Sequence, residues 1–264
     1  MEKRIRLISF VCFLLFAGCL MLSWSTQKKS REFYQLTVYH FKTPVQEKTL
    51  DTYFENGLLP ALHRIGVKNV GVFKSWSNDT IADKMMYVFM PMKSLDELAL
   101  LPSRLQQDQS YTAAAKDYIE AGAKTPPYSR MERVVLRAFP LAPQMQLPKL
   151  SASKKQRVYE LRSYESATER LNQNKVQMFN EGGEIEIFKR LNFNPVFYGE
   201  VLAGSRMPNL MYMTSFENRA DRDSHWKNFN SDPQWKKVSS MPGYQNNVSH
   251  ADISFLYPTD YSDF

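Results

Sequence analysis

The chain has 264 residues, 43% of them apolar and 23% charged, proportions that exclude a disordered or low-complexity protein. The formal net charge of +7 is mild; Lys3, Arg4 and Arg6 against Glu2 supply +2 of it and leave +5 for the rest. Those charges are scattered and never interleave with aromatics in a basic run, which argues against a nucleic-acid partner.

The first 25 residues differ from all that follows. Met1–Arg6 is basic, Leu7–Trp24 is apolar apart from Ser9, Ser23 and Gly18, and Ser25–Glu32 is polar. This is the layout of a secretory signal with a positive cytoplasmic head, so the protein is expected to be exported: periplasmic, membrane-anchored or secreted. Three outcomes fit. Cleavage after Ser25 releases a soluble protein; retention leaves a single-span anchor; or a lipid is attached at Cys19. Phe16-Ala17-Gly18-Cys19 resembles a bacterial lipobox, with Phe16 in place of the usual Leu. A lipid there would hold the protein at a membrane by burying its acyl chains. Both cysteines, Cys12 and Cys19, lie in this segment, so the remainder has no disulfide, no thiol nucleophile and no thiolate metal ligand.

Beyond it the sequence repeats itself at a spacing of 125 residues. Tyr34, Leu36 and Tyr39 fall on Tyr159, Leu161 and Tyr164; Phe54 and Gly57 on Phe179 and Gly182; Met86-Tyr87 on Met211-Tyr212; Asp96 on Asp221. The offset drifts near the end, where Arg133–Pro140 corresponds to the stretch around Asp252–Pro258. A collinear series of this length indicates a duplicated module.

Each copy reads as βαββαβ, the ferredoxin-like motif. The strands are expected at Phe33–Phe41, Asn69–Trp76, Lys84–Met90 and Met131–Phe139, then at Val158–Tyr164, Pro195–Leu202, Asn209–Phe216 and Ser249–Tyr257. Helices are expected over Glu47–Ile65 and from Ser94 towards Ala121, then over Glu169–Arg190 and Ala220–Asn228. Gly182-Gly183 predicts a break in the third of these, and Asp232-Pro233 a further helix start. Tyr111–Tyr128 is extra to the first copy. The fold class is therefore α+β: a segment at 1–25, a diverged module at 33–140, a linker at 141–156 and a second module at 157–258. A ferredoxin-like unit leaves one sheet face bare, so two copies can pair into a dimeric α/β-barrel-type pseudo-dimer. The apolar faces (Val134, Leu136, Ala138; Ala251, Ile253, Phe255) are expected under the helices, with the mixed faces lining the barrel. Whether the copies close on each other or on a second chain, as a homo-oligomer, stays open at this stage.

The second copy resembles the NIPSNAP family. The motifs are Val158-Tyr159-Glu160-Leu161-Arg162-Ser163-Tyr164, Asn194-Pro195-Val196-Phe197-Tyr198-Gly199-Glu200, Asn209 to Phe216, and the tract from His225-Trp226 through Phe229 to Asp232-Pro233-Gln234-Trp235. The first copy lacks the His-Trp and Asp-Pro-x-Trp tracts. The resemblance implies a dimeric α/β-barrel fold, in a superfamily that includes small-molecule monooxygenases, isomerases and haem-degrading enzymes, but no settled reaction.

Strand alternation puts Glu160, Arg162 and Tyr164 on one face, with Tyr212 and Thr214 and with His250 and Asp252 on the corresponding faces of two other strands. Convergence in a lumen would make a polar pocket with an acid/base group (His250 or Glu160), an anion-binding Arg162 and phenolic donors, fit for a small molecule. The plainer reading pairs Glu160 with Arg162 as a buried ion pair. His225, beside Trp226, is either a packed edge histidine or a shuttle at the barrel mouth; His40 and His63 read as structural. His250 and Asp252 offer two ligands across one strand turn, short of a metal site. No Gly-rich phosphate loop and no nucleophile elbow occurs. Neither cofactor nor metal is expected, and the choice between an enzyme, a binding module and a membrane-held scaffold stays open.

Overall fold

The structure is a computed structural model and describes residues 29–264; the expected signal or anchor segment and Cys19 lie outside the described residues. The elements run β1 (Phe33–Phe41), α1 (Pro44–Thr52), a π-helical turn (Tyr53–Leu58), α2 (Leu59–Arg64), β2 (Gly71–Ser75), β3 (Lys84–Met92), α3 (Leu95–Gln107), α4 (Gln109–Ala114), α5 (Lys116–Ile119) and β4 (Arg130–Ala138). The second copy follows with β5 (Val158–Glu165), α6 (Glu169–Asn180), α7 (Glu184–Arg190), β6 (Asn194–Ala203), β7 (Asn209–Phe216), α8 (Arg219–Ser231), α9 (Pro233–Ser239) and β8 (His250–Pro258). Among the described residues no helix is long and apolar enough to cross a membrane.

All neighbouring strands are antiparallel, in a closed barrel of order β1-β3-β2-β8-β5-β7-β6-β4. Each copy supplies four adjacent strands, and the halves join where β2 meets β8 and β4 meets β6. The copies thus close on each other within one chain, and residues 31–264 form one compact unit.

The pairing register measures the repeat more closely than the alignment does. Thr37 pairs with Val88 and Arg133, while Arg162 pairs with Tyr212 and Ile253. The offset is therefore 125 on the first strand, 124 on the third and 120 on the fourth. A slip of one residue turns a side chain to the other face. Tyr87 faces the lumen while Tyr212 faces the helices, so the pairing of Met86-Tyr87 with Met211-Tyr212 is corrected by one position.

The faces also need one correction. On β8 the expectation holds for Phe255, which packs on the helix side, and for Asp252 and Ser254, which line the interior, whereas Ala251 and Ile253 are exposed rather than covered by helices. On β4 it is reversed. Val134, Leu136 and Ala138 point into the lumen, and Arg133 and Arg137 point out, exposed. β4 is the edge strand of its half and carries little helix cover, while the lumen beside it is apolar, so its apolar face turns inward.

Local sequence explains the helices. Thr43 and Gln46 form a capping box ahead of Pro44 at the start of α1. Asp232 caps α9 by accepting from the Trp235 amide at 3.0 Å and pairs with Arg190. The break between α6 and α7 falls at Gly182-Gly183. Gly183 has φ +86°, and a Cβ on Gly182 would lie 2.5 Å from the Met178 carbonyl oxygen. In the first copy the matching Gly57 sits within the π-helical turn, where the chain continues from α1 into α2 without a break.

Gly182→Ala is expected to lower the unfolding free energy by about 1–3 kcal/mol, the scale of overpacking against a fixed backbone. An unchanged urea midpoint would show that the break does not need a bare Cα.

Candidate functional site

The barrel interior is filled at one end only. Phe89 stacks on Phe197 with centroids 4.7 Å apart, and Tyr34 packs on both. Tyr159 packs on Phe73 at 4.8 Å, and Phe264 closes against these two rings. Towards the other end, where β1 and β5 finish, the side chains shorten and a cavity of about 330 Å³ opens. Leu36, Val38, Val134, Leu161 and Met211 line it, and His40, Arg130, Glu132, Arg206 and Asp252 form its rim.

The rim carries the mark of the duplication. His40 pairs with Arg130 in the first half as Glu165 pairs with His250 in the second, and Glu132 and Asp252 follow two residues on. His40 is buried, with Nδ1 2.9 Å from Asp83 and Nε2 3.3 Å from Glu132; Arg130 also contacts its ring. Glu132 further pairs with Arg130 and accepts from the Ser205 hydroxyl at 3.3 Å. In the second half, His250 lies 3.1 Å from Asp252, and ligand atoms of Glu165, His250 and Asp252 fall within 4.8 Å of one another. Structure thus adds Glu165 to the two ligands legible in sequence. Arg206 already pairs with Asp252 and lies 3.6 Å from Glu165, so a cation would have to displace this guanidinium. Deeper in, the Asn209 amide donates to Ser163 at 2.8 Å, while its Oδ1 is buried without a partner.

The sequence-derived candidates divide between two places. His250 and Asp252 stand at the rim. Glu160, Arg162, Tyr164, Tyr212 and Thr214 do not share a lumen with them; they face the helices of the second half. The expected convergence of Glu160, Arg162 and His250 is therefore corrected. Odd-numbered residues of β5 point inward, as Tyr159 and Leu161 do, and even-numbered ones point out.

Under the helices these residues form a closed ionic network. Glu160 is fully buried and accepts from Arg162 Nε (2.6 Å), Arg222 Nε (2.6 Å) and Nη2 (3.0 Å), and Trp226 Nε1 (2.9 Å). The Arg162 guanidinium also stacks over Trp226 at 3.7 Å and donates to the Tyr164 hydroxyl, which meets that of Tyr212 at 3.0 Å. Burial works against the Arg162 charge, but Tyr212, Tyr164 and Glu160 outweigh it and hold its pKa above the ordinary value. Lys175 and Glu184 make a second buried pair at 2.8 Å, and a cavity of about 300 Å³ lies beside both pairs. Thr214 is buried with its hydroxyl unpartnered. His225 directs Nδ1 to the Asp221 carbonyl (2.9 Å) and packs on Phe193 and Phe216, away from the barrel mouth.

Sequence reasoning missed His40, Arg222, Lys175 and Glu184. His40 shares its face of β1 with Tyr34, Leu36 and Val38, an apolar row, so alternation marked that face as core and gave no sign that its last residue reaches a rim. Arg222 reaches Glu160 from a helix 62 residues later, and periodicity carries no signal of that length.

Glu160→Gln leaves two guanidinium groups without their carboxylate, so a loss of about 3–5 kcal/mol in stability is expected. Chemical denaturation checks this, and a loss below about 1 kcal/mol would mean that the network relaxes into water.

Comparison with known proteins places this geometry. The NIPSNAP family model matches residues 159–263. No curated protein sequence matches the chain. Among solved structures, the chain is similar to a candidate monooxygenase from Fusobacterium nucleatum, at 10% identity over 87% of this chain and 93% of that one, with a TM-score of 0.57. A candidate monooxygenase from Lactobacillus acidophilus is similar at 10% identity over 87% and 94%, with a TM-score of 0.56. An anthrone oxidase-like protein matches at 8% identity over 88% and 93%, with a TM-score of 0.51. At such identities these likenesses show the fold alone: one chain spanning both halves of the barrel. The second half of this chain, residues 159–263, is therefore a NIPSNAP domain.

Proposed function

We propose that the protein binds a small amphipathic organic molecule in the open half of its lumen. The observation that carries this reading is the half-filled barrel. Its cavity of about 330 Å³ lies at the lower end of the roughly 300–1,000 Å³ usual for small-ligand sites. The apolar lining takes the body of the molecule, and the rim offers charges of both signs. Asn209 Oδ1 refines the class. A buried acceptor without a donor costs about 1–3 kcal/mol, so a ligand hydroxyl or amine placed there gains affinity.

A second reading, turnover of the bound molecule, is favoured by His40. Its imidazole stands at the cavity rim, held by Asp83 and Glu132, the arrangement a positioned acid/base group requires. The monooxygenase and oxidase names attached to proteins of this fold belong to those proteins; here they suggest the class of reaction to assay.

With 1-naphthol as probe, calorimetry is expected to show binding that weakens at least tenfold in Leu161→Trp, which fills the cavity. Asn209→Leu is expected to erase the preference for 1-naphthol over naphthalene. Unaltered affinity in a folded Leu161→Trp protein would defeat the lumen reading. Loss of turnover in His40→Gln with binding retained would mark the second reading as correct.

The N-terminal segment supports a place outside the cytoplasm, with the barrel tethered through Cys19 or released after Ser25. In a bacterial host, Cys19→Ala is expected to move the protein from the membrane to the soluble fraction. Continued sedimentation with membranes would exclude a lipid tether.

A further inference from the structure

The two halves use one location in opposite ways. On the helix-facing side of β1, Gln35, Thr37 and Tyr39 stand where β5 has Glu160, Arg162 and Tyr164. In the second half Arg222 and Trp226 stand above this row and lock it with charge, and the cavity beside them is walled by Arg162, Lys175, Glu184 and Arg222. In the first half the row is neutral, and α3 presents Leu98, Leu101 and Leu105 instead. A cavity of about 240 Å³ remains.

The chemistry of this cavity is one-sided. Its buried polar wall groups are spent on one another: Gln35 donates to Thr37 at 3.0 Å, the Tyr53 and Tyr111 hydroxyls meet at 3.1 Å, and Tyr39 bonds to Tyr118, while Gln106 stands at the exposed edge. Burial pushes the Tyr39 phenol up to about 12, so it stays a neutral group there. Tyr53 stacks on Tyr118 with centroids 3.6 Å apart, which turns flat apolar rings to the interior. Arg133 supplies the charge. It lines the cavity, is exposed, and forms no ion pair among the described residues.

The wall is a purposeful local structure. α4 and α5 occupy the interval in which the second copy has α9; the offset falls by only four residues across it, so the expected extra stretch Tyr111–Tyr128 is corrected to a different fold of nearly the same length of chain. They lie against the π-helical turn, where a Cβ on Gly57 would come within 3.2 Å of Ala115 Cβ. That turn contributes Tyr53 and Leu58 to the lining.

We infer that the first half carries a second binding site, separate from the lumen, for a medium-chain carboxylate. The tail occupies the cavity and the carboxylate pairs with Arg133. A dry cavity of about 150 Å³ holds benzene, so this one accommodates roughly eight to ten carbon atoms. The guanidinium gives a charge-assisted, bidentate partner for the head group.

Calorimetric titration of the full chain with octanoate and with 1-octanol tests this. Octanoate is expected to bind the wild type more tightly than 1-octanol does. Arg133→Glu, a surface change, is expected to weaken octanoate at least tenfold and leave 1-octanol unchanged. Leu105→Trp is expected to abolish both while the unfolding midpoint holds. Leu161→Trp, which blocks only the lumen, is expected to leave octanoate binding intact. No octanoate binding, or an affinity indifferent to Arg133→Glu, would overturn the inference. Octanoate binding lost in Leu161→Trp and kept in Leu105→Trp would also overturn it, by assigning the ligand to the lumen. Since 1-naphthol reports on the lumen independently, failure of one site leaves the other standing.

Discussion

Hydrogen bonding of β2 to β8 and of β4 to β6 leaves no strand of the sheet with an open edge, and the rest of the molecule depends on that closure. A four-stranded half with helices on one face would expose its other face to water. Closing two halves into eight strands converts both bare faces into one interior. An eight-stranded barrel is only wide enough to be filled by side chains or to hold one small molecule. This interior is filled at one end and open at the other. Large rings fill one end, and towards the other Leu36, Leu161 and Met211 leave room.

Charge is distributed by the same geometry. The lumen concentrates its ionisable groups at the rim, where water reaches Asp252, Arg206 and His250 and the cost of holding charge is low. The charges buried deepest, Glu160, Glu184 and Lys175, lie under the helices of the second half, and there each is matched. Glu160 meets two arginines and an indole N–H, and Lys175 meets Glu184. Removing one partner from such a set exposes the desolvation cost of the others. The network is thus a structural commitment of the NIPSNAP half. The first half, free of it at the matching positions, has a cavity walled mainly by leucines and tyrosines there, where the second half has one walled by charges.

The halves therefore share an architecture and differ in what fills it. The divergence is largest where no hydrogen-bond ladder constrains the chain: at the helix junctions, in α4 and α5, and in the side chains above the first strand. A π-helical turn around Gly57 and a glycine break at Gly182 solve the same junction in two ways. The first strand of each half, by contrast, keeps the same register with both its neighbours, because a shift there would turn an entire strand inside out, while β6 carries an irregularity between Pro195 and Phe197 that β2 lacks.

The sequence by itself determined the duplication, the eight strands, most helix positions, the break at Gly182-Gly183 and the identity of the second half. These follow from short-range chemistry: alternation, capping, glycine geometry and an ordered set of motifs. Only the tertiary structure decided which face of each strand looks inward. Glu160, Arg162 and Tyr164 were legible as a row on one face, but alternation states that a strand has two faces and not which is buried by what. The answer depended on helix cover: β5 is central in its half and sends its charged row to the helices, whereas β4, at the edge, sends its apolar row into the lumen. The partners of Glu160 and the surroundings of His40 come from residues far along the chain, brought near by packing alone.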